Sequence, residues 1–316
     1  MSYAQFGLIE ASDFNTLVGG NPTATANTLN ATWAIGSAGA GYGQTAQANV
    51  AASDTVLASS WANVVNRTAS AATHQGSSIS SVTAPVAGGP ITFLSAIPTN
   101  LQTIYTNRRN AATQGATTAN TVTYGSSWLN ALTFTQTVTF ANGDAARYFF
   151  NSGGQLKITC AHAATSGAGN TLFNGLASNV GTIVMSSPTS GTITIASTSY
   201  NGITKIGGGG STPTISTNSG YFAMTTSNAN VFTQLAGGAT AYLNSFIRVV
   251  ARSNGTVGSN GDAGNVITLS TIWDEVPDGL TVGSGSTVTL TVQAPETTNL
   301  ANTWGTISLS GSVSGS

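Results

Sequence analysis

LTFTQTVTF, residues 132–140, decides the architecture. Leu132, Phe134, Gln136, Val138 and Phe140 share one side of an extended chain, and every residue between them is Thr. A two-residue period of this kind belongs to a strand with one dry face and one wet face. Asn142-Gly143 follows at once and offers hairpin-turn chemistry, since both residue types tolerate positive φ. Working outward, further strands are predicted at residues 148–150 and 156–160 around Gly153-Gly154, then at 182–185, 192–197, 242–252, 265–271, 287–294 and 306–311. Gly, Ser and Asn punctuate them. The pattern predicts a mainly β protein whose residues 129–316 form an antiparallel β-sandwich region, with room for two subdomains.

Residues 1–128 read instead as a helical and extended region suited to attachment or oligomerisation. Ile97, Leu101, Ile104 and Tyr105, with Leu94 just ahead, have the spacing of an amphipathic helix over residues 97–114. Pro98 suits its first turn and Gly115 its stop. A second helix is predicted from Ser59 or Ser60 through Trp61, Val64, Val65 and Thr68 to His74, ending at Gly76. A short third one starts at Ser12 or Asp13 and carries Phe14 and Leu17. Between them, residues 31–44 and 83–90 are too rich in Gly for regular structure, and read as linkers or as arms that order only against a neighbouring subunit.

Composition limits the function classes. The 316 residues include eight Lys or Arg and nine Asp or Glu, so 5% are charged, against about 25% in an ordinary globular domain. Hydrophobic residues make up 40% and net charge is −1, which separates the chain from disordered sequences of low hydrophobicity and high charge. No basic run is available to neutralise phosphates, so a nucleic-acid partner is not expected. The single Cys closes no disulfide within the chain. No membrane span or secretory signal is read from the sequence. What remains is a solvent face of Ser, Thr, Asn and Gln. Lys and Glu normally keep sheet edges from pairing where they should not. With so few of them, covering by partner subunits is the simplest protection, and closed symmetry leaves the fewest free edges.

Candidate chemical residues are few. His74 has no carboxylate within 15 residues, so it is read as a helix-terminal His facing the last carbonyls. Cys160 and His162 stand in a Cys-x-His arrangement, yet two ligands make no structural zinc site, and Cys160 continues the inward phase of Leu156 and Ile158 as a core thiol. Asp274, Glu275 and Asp278 in WDEVPDG are the one concentration of charge. Their readings are an interface loop paired with Arg248 or Arg252, a solvated turn, or, less favoured, a calcium loop. The run Gly207 to Gly210 reads as a flexible connector. Trp33, Tyr42 and the trio Tyr148, Phe149 and Phe150 suit core or interface anchors better than sugar-stacking platforms. Arg108, Arg109 and Arg147 are candidates for bidentate contacts to carboxylates across an interface. No catalytic, cofactor-binding or metal residue is assigned, and no cofactor is expected.

Several stretches resemble virion structural proteins of tailed bacteriophages, notably contractile-tailed phages of aquatic bacteria. They are GYGQ at residues 41–44, SSWANVVNR at 59–67, ATHQG at 72–76, GDAARYFFNSGGQLKIT at 143–159 and TWGTISLSG at 303–311. The resemblance implies a non-enzymatic neck, collar or tail-fibre subunit that forms a homo-oligomer, a trimer being favoured, attached to other neck or tail proteins of the virion and released by lysis. It supplies no functional residues. The alternatives are a receptor- or glycan-binding adhesin, with a host surface glycan as partner, and a capsid decoration protein.

Overall fold

A computed structural model of the chain describes residues 10–21, 23–36, 39–52, 54–89, 95–237 and 242–315. Four helices come first: α1 (Ala11–Val18), α2 (Leu29–Thr32), α3 (Ala58–Gln75) and α4 (Ala96–Thr106). In α3 the buried residues Trp61, Val64, Val65, Thr68, Ala71 and Ala72 recur three and four apart, and Gly76 ends the helix at φ 70°, as its sequence predicts. α4 stops at Thr106, well short of Gln114. After Ile104 and Tyr105 the next positions on the buried face are Asn107 and Arg108, which have nothing apolar to bury. Leu94 and Pro90 lie outside the described residues. Phe14 meets Trp61 edge-on at 5.1 Å. Leu17, Leu29, Tyr42, Val64, Ile97, Leu101 and Ile104 complete this helical core, each buried apolar side chain contributing about 1.5–3 kcal/mol.

From Gln114 onward strands dominate. They are β1 (Gln114–Tyr124), β2 (Ala131–Thr139), β3 (Gln155–His162), β4 (Thr182–Met185), β5 (Ile193–Ile195), β6 (Thr198–Tyr200), β7 (Ile203–Ile206), β8 (Thr214–Ile215), β9 (Ala229–Leu235), β10 (Phe246–Ser253), β11 (Val266–Asp274), β12 (Ser286–Pro295) and β13 (Ser308–Gly315). Helices α5 (Gly143–Asn151) and α6 (Ala168–Val180) interrupt them. The protein is thus mainly β, with antiparallel sheets and a helical N-terminal region. One sheet has the order β1-β12-β3-β4-β7 and the other β13-β2-β11-β10-β9-β8, while β5 and β6 make a small ribbon.

The two large sheets bury one core between them. Leu132, Phe134 and Val138 of β2, with Ile267, Leu269 and Trp273 of β11, share it with Leu156 and Ile158 of β3 and Val288, Leu290 and Val292 of β12. Burial along β2 alternates without a break, as residues 132–140 predict. Gln136, the polar residue in this inward register, reaches across to β1 and donates to the Asn120 carbonyl at 2.9 Å. The reach is possible because its neighbour on β13 is Gly311, where a Cβ would stand 2.5 Å from Val122 of β1. α6 packs against β3 on one side and β9 and β10 on the other, and its Phe173 stacks on Trp273 at 5.8 Å.

Other predicted elements differ as well, and the strand expected over residues 242–252 begins only at Phe246, after a turn. Asn142-Gly143 is not a hairpin turn: Asn142 is extended, and its side chain accepts the Ala145 N–H at 2.8 Å as the cap of α5. Tyr148, Phe149 and Phe150 are therefore helical, and Ala145, Ala146, Phe149 and Phe150 form the buried side of that helix. The first strand, β1, begins upstream of the region read as β. The described part of residues 31–44 is not an arm awaiting a neighbour. It folds on its own chain, because Arg147 donates to the Ile35 and Gly39 carbonyls and Asn151 to those of Gly39 and Gly41.

Candidate functional site

His74 closes α3 in full burial, and its Nδ1 lies 2.8 Å from Glu296 Oε1, a residue 222 positions away. The sequence expectation that it faces the helix's last carbonyls is corrected by this long-range partner. Glu296 follows β12 and also accepts the Thr298 N–H at 2.5 Å and the Asn299 N–H at 3.1 Å. The His74 hydrogen bond, aided by those backbone donors, outweighs burial and holds the Glu296 carboxyl at about 2. Tyr42 meets the imidazole edge-on at 5.2 Å, accepts from Gln75 at 2.7 Å, and has its phenol pushed up by burial. Gln44 exchanges two hydrogen bonds with Ala301, and Leu300 enters the helical core. The cluster thus fastens the segment after β12 onto the helices. His74 Nε2 has no hydrogen-bond partner among the described residues.

A second polar cluster closes one end of the sandwich. His162 Nδ1 lies 3.1 Å from Ser286 Oγ, and Nε2 lies 2.9 Å from Asn170 Oδ1. The connectivity is that of nucleophile, base and orienting group. Its environment is that of a clamp. Ser286 has no exposed surface, its oxygen accepts the Trp128 indole N–H at 3.2 Å, and Asn170 Oδ1 also accepts the Gly283 N–H at 2.6 Å. Both imidazole nitrogens are spent on β12 and α6. Cys160 points into the core two residues earlier, half-buried, its thiol pushed up to about 12 by desolvation. Sequence spacing places Cys160 and His162 on one face, as found, but gives no sign of Ser286 or Asn170.

The acidic stretch does not converge. Glu275 is fully buried and turns back on its own loop, accepting the Leu280 N–H with both oxygens at 2.7 and 3.0 Å. Burial raises its carboxyl against those hydrogen bonds. Asp274 is half-buried and raised by desolvation and by Asp278, with Arg248 opposing. Arg248 itself lies over the Phe246 ring at 4.1 Å. Among the described residues no three His, Cys, Asp or Glu side chains gather in one place.

The remaining candidates are also turned to the chain's own use. Arg147 is fully buried and pairs with Asp144 at 2.9 Å, not with a carboxylate across an interface. Arg108 lies over Tyr105 and bonds its carbonyl, while Arg109 lies over Phe222. Tyr42, Phe149 and Phe150 are core residues. Trp33 is half-buried, with its N–H on the Thr45 carbonyl. The run Gly207 to Gly210 is no free connector: Gly209 donates to Asn179 at the end of α6 and accepts from Lys205.

The outer faces of both large sheets carry hydroxyl pairs. On the outer face of β2, Thr133, Thr135, Thr137 and Thr139 stand beside Ser314, Ser312, Ser310 and Ser308 of β13, and Thr137 meets Ser310 at 2.5 Å. On the other sheet Thr121 meets Thr289 at 2.9 Å and Thr123 meets Thr287 at 3.0 Å. A shallow groove of about 450 Å³ is lined by Thr189, Ser190, Asn201, Thr204, Lys205 and Thr217, among others. Among the described residues no helix is long and apolar enough to cross a membrane. Comparison with family models, curated proteins and solved structures returns no significant match.

Proposed function

We propose that the chain is a non-enzymatic structural subunit of a tailed-phage virion, placed at the neck, collar or tail and working as a homo-oligomer. One observation carries the reading: both sheets turn ladders of paired Ser and Thr hydroxyls outward, while Arg147, Glu275 and Glu296 are buried and spent on the chain's own backbone and side chains. Uncharged hydroxyl faces repel nothing, and they pack closely against like faces without desolvating ions. The two His-centred clusters are sealed, which leaves them no substrate to meet. The test is location. Gold-labelled antibody against this chain should mark intact particles at the neck or tail, and the chain should be found by mass spectrometry in purified particles. Presence in the lysate but not in particles would refute the proposal.

The groove beside Lys205 favours a second reading, a glycan-binding adhesin, through its hydroxyl and amide lining. The aromatic side of that reading is weaker, since Tyr42, Phe149 and Phe150 are buried. Retention on host-envelope polysaccharide that is lost in Asn201→Ala would support it.

A further inference from the structure

The two flanks of the sandwich are finished differently. On one, the edge strands are short: β8 has two residues and β7 has four. There Lys205 bridges the sheets, donating to the Gly209 carbonyl at 3.0 Å and to Gln234 Oε1 of β9 at 2.9 Å. On the other flank the edges are long. β1 has eleven residues and β13 has eight, they lie against each other at the ends of their sheets, and no described strand pairs with the outer edge of either. Neither contains Lys, Arg, Asp, Glu or Pro, and their inner neighbours β2 and β12 carry no charged residue. β1 has one irregularity, between Gln114 and Thr117, and β13 pairs with β2 in unbroken register.

Free edges are normally blunted by brevity, Lys, Pro or bulges, because an open row of N–H and C=O groups recruits another strand. Here brevity and a Lys guard one flank, and the other is left open. We propose that the β1/β13 flank is the surface by which one copy of this chain joins a second, β13 pairing antiparallel with β13 of the other copy and β1 with β1, about a twofold axis. The inference deepens the structural-subunit reading and rests on it. An occupant of identical sequence fits because a neutral strand of alternating Ser meets itself without like charges, and an antiparallel pair is its own complement under a twofold rotation. Size also fits. At about 3.4 Å per residue, and with about 10 Å between the sheets plus roughly 5 Å of side chain on each outer face, edges of these lengths form a flank of roughly 30 by 20 Å. That is on the order of 600 Å² per partner, at the lower bound of stable interfaces. A self-complementary flank of this kind closes as a pair.

The test uses the full chain. Ser312 and Ser314 are exposed on the outer face of β13. The double variant Ser312→Lys, Ser314→Lys should sediment at 31.6 kDa where the parent sediments at twice that mass. Its β13 amides should exchange faster, and its circular dichroism should match the parent. Mixing it with Ser312→Glu, Ser314→Glu should restore the paired mass. The control Ser190→Lys, Thr217→Lys, exposed on the guarded side, should leave the parent mass unchanged. A single-copy parent overturns the inference. So does a multimeric parent whose mass both β13 variants leave intact, and in that case the structural-subunit reading survives with its interface elsewhere, as particle labelling judges independently.

Discussion

Glu296 ties acid stability to a single contact. Its carboxyl, held at about 2 against an ordinary 4.5, favours the folded state when ionised. That contribution is complete above about pH 4.5 and is lost as pH falls towards 2. Glu296→Gln should therefore be less stable than the parent at neutral pH, by about 2 kcal/mol. The gap should close on acidification in urea titrations, and a gap constant down to the acid limit would show that the His74 contact does not set it. Ser286→Ala should cost about 1–3 kcal/mol, because the Trp128 N–H and His162 lose their shared partner inside the core. Neither cluster is legible in sequence. His74 and Glu296 are separated by 222 residues, and spacing rules see only neighbours. Cys160 and the inward register of β3 are legible, since strand phase is a local property.

Local properties also explain which elements the sequence yields. β2 and α3 are plain because their apolar residues contrast sharply with Thr, Ser or Asn between them. β1 is hidden because its central residues, Ala116 to Asn120, are all small or polar; an edge strand with little buried on either face has no contrast to display. α5 is misread for another reason. Asn-Gly and a run of aromatics both favour β locally, yet Asn142 also suits a helix cap, and Phe149 and Phe150 continue the face opened by Ala145 and Ala146. Burial of that face decides. Asn142→Ala should lower stability by about 1 kcal/mol, whereas Asn142→Asp should keep most of the cap. Equal stability of Asn142→Ala and the parent in thermal melts would remove the cap from the account of α5. Phe150→Ala, emptying a ring stacked on Tyr221 at 4.2 Å, should cost about 3–5 kcal/mol.

For the molecule as a whole, the low charge has a spatial meaning that composition alone withholds. Part of the charge is taken into the interior or laid on rings, Glu10, Asp54, Arg252 and Asp278 are exposed, and one flank of the sheets has none. Arg147 and Glu275 are fully buried, Arg108, Arg109 and Arg248 lie on rings, and β1, β2, β12 and β13 carry none. Close approach of the two sheets at that flank depends on Gly311. Gly311→Val should destabilise the fold by about 1–3 kcal/mol through overpacking against Val122 and Asn120. Because the joining surface is uncharged, self-association should be insensitive to ionic strength from dilute buffer to about 1 M salt. The account as a whole stands on copies of this chain covering one another's uncharged sheets, and sedimentation velocity of the purified parent over a wide concentration range measures that most directly. It predicts a multiple of 31.6 kDa throughout, and a stable species of 31.6 kDa at the highest concentration reached would contradict it.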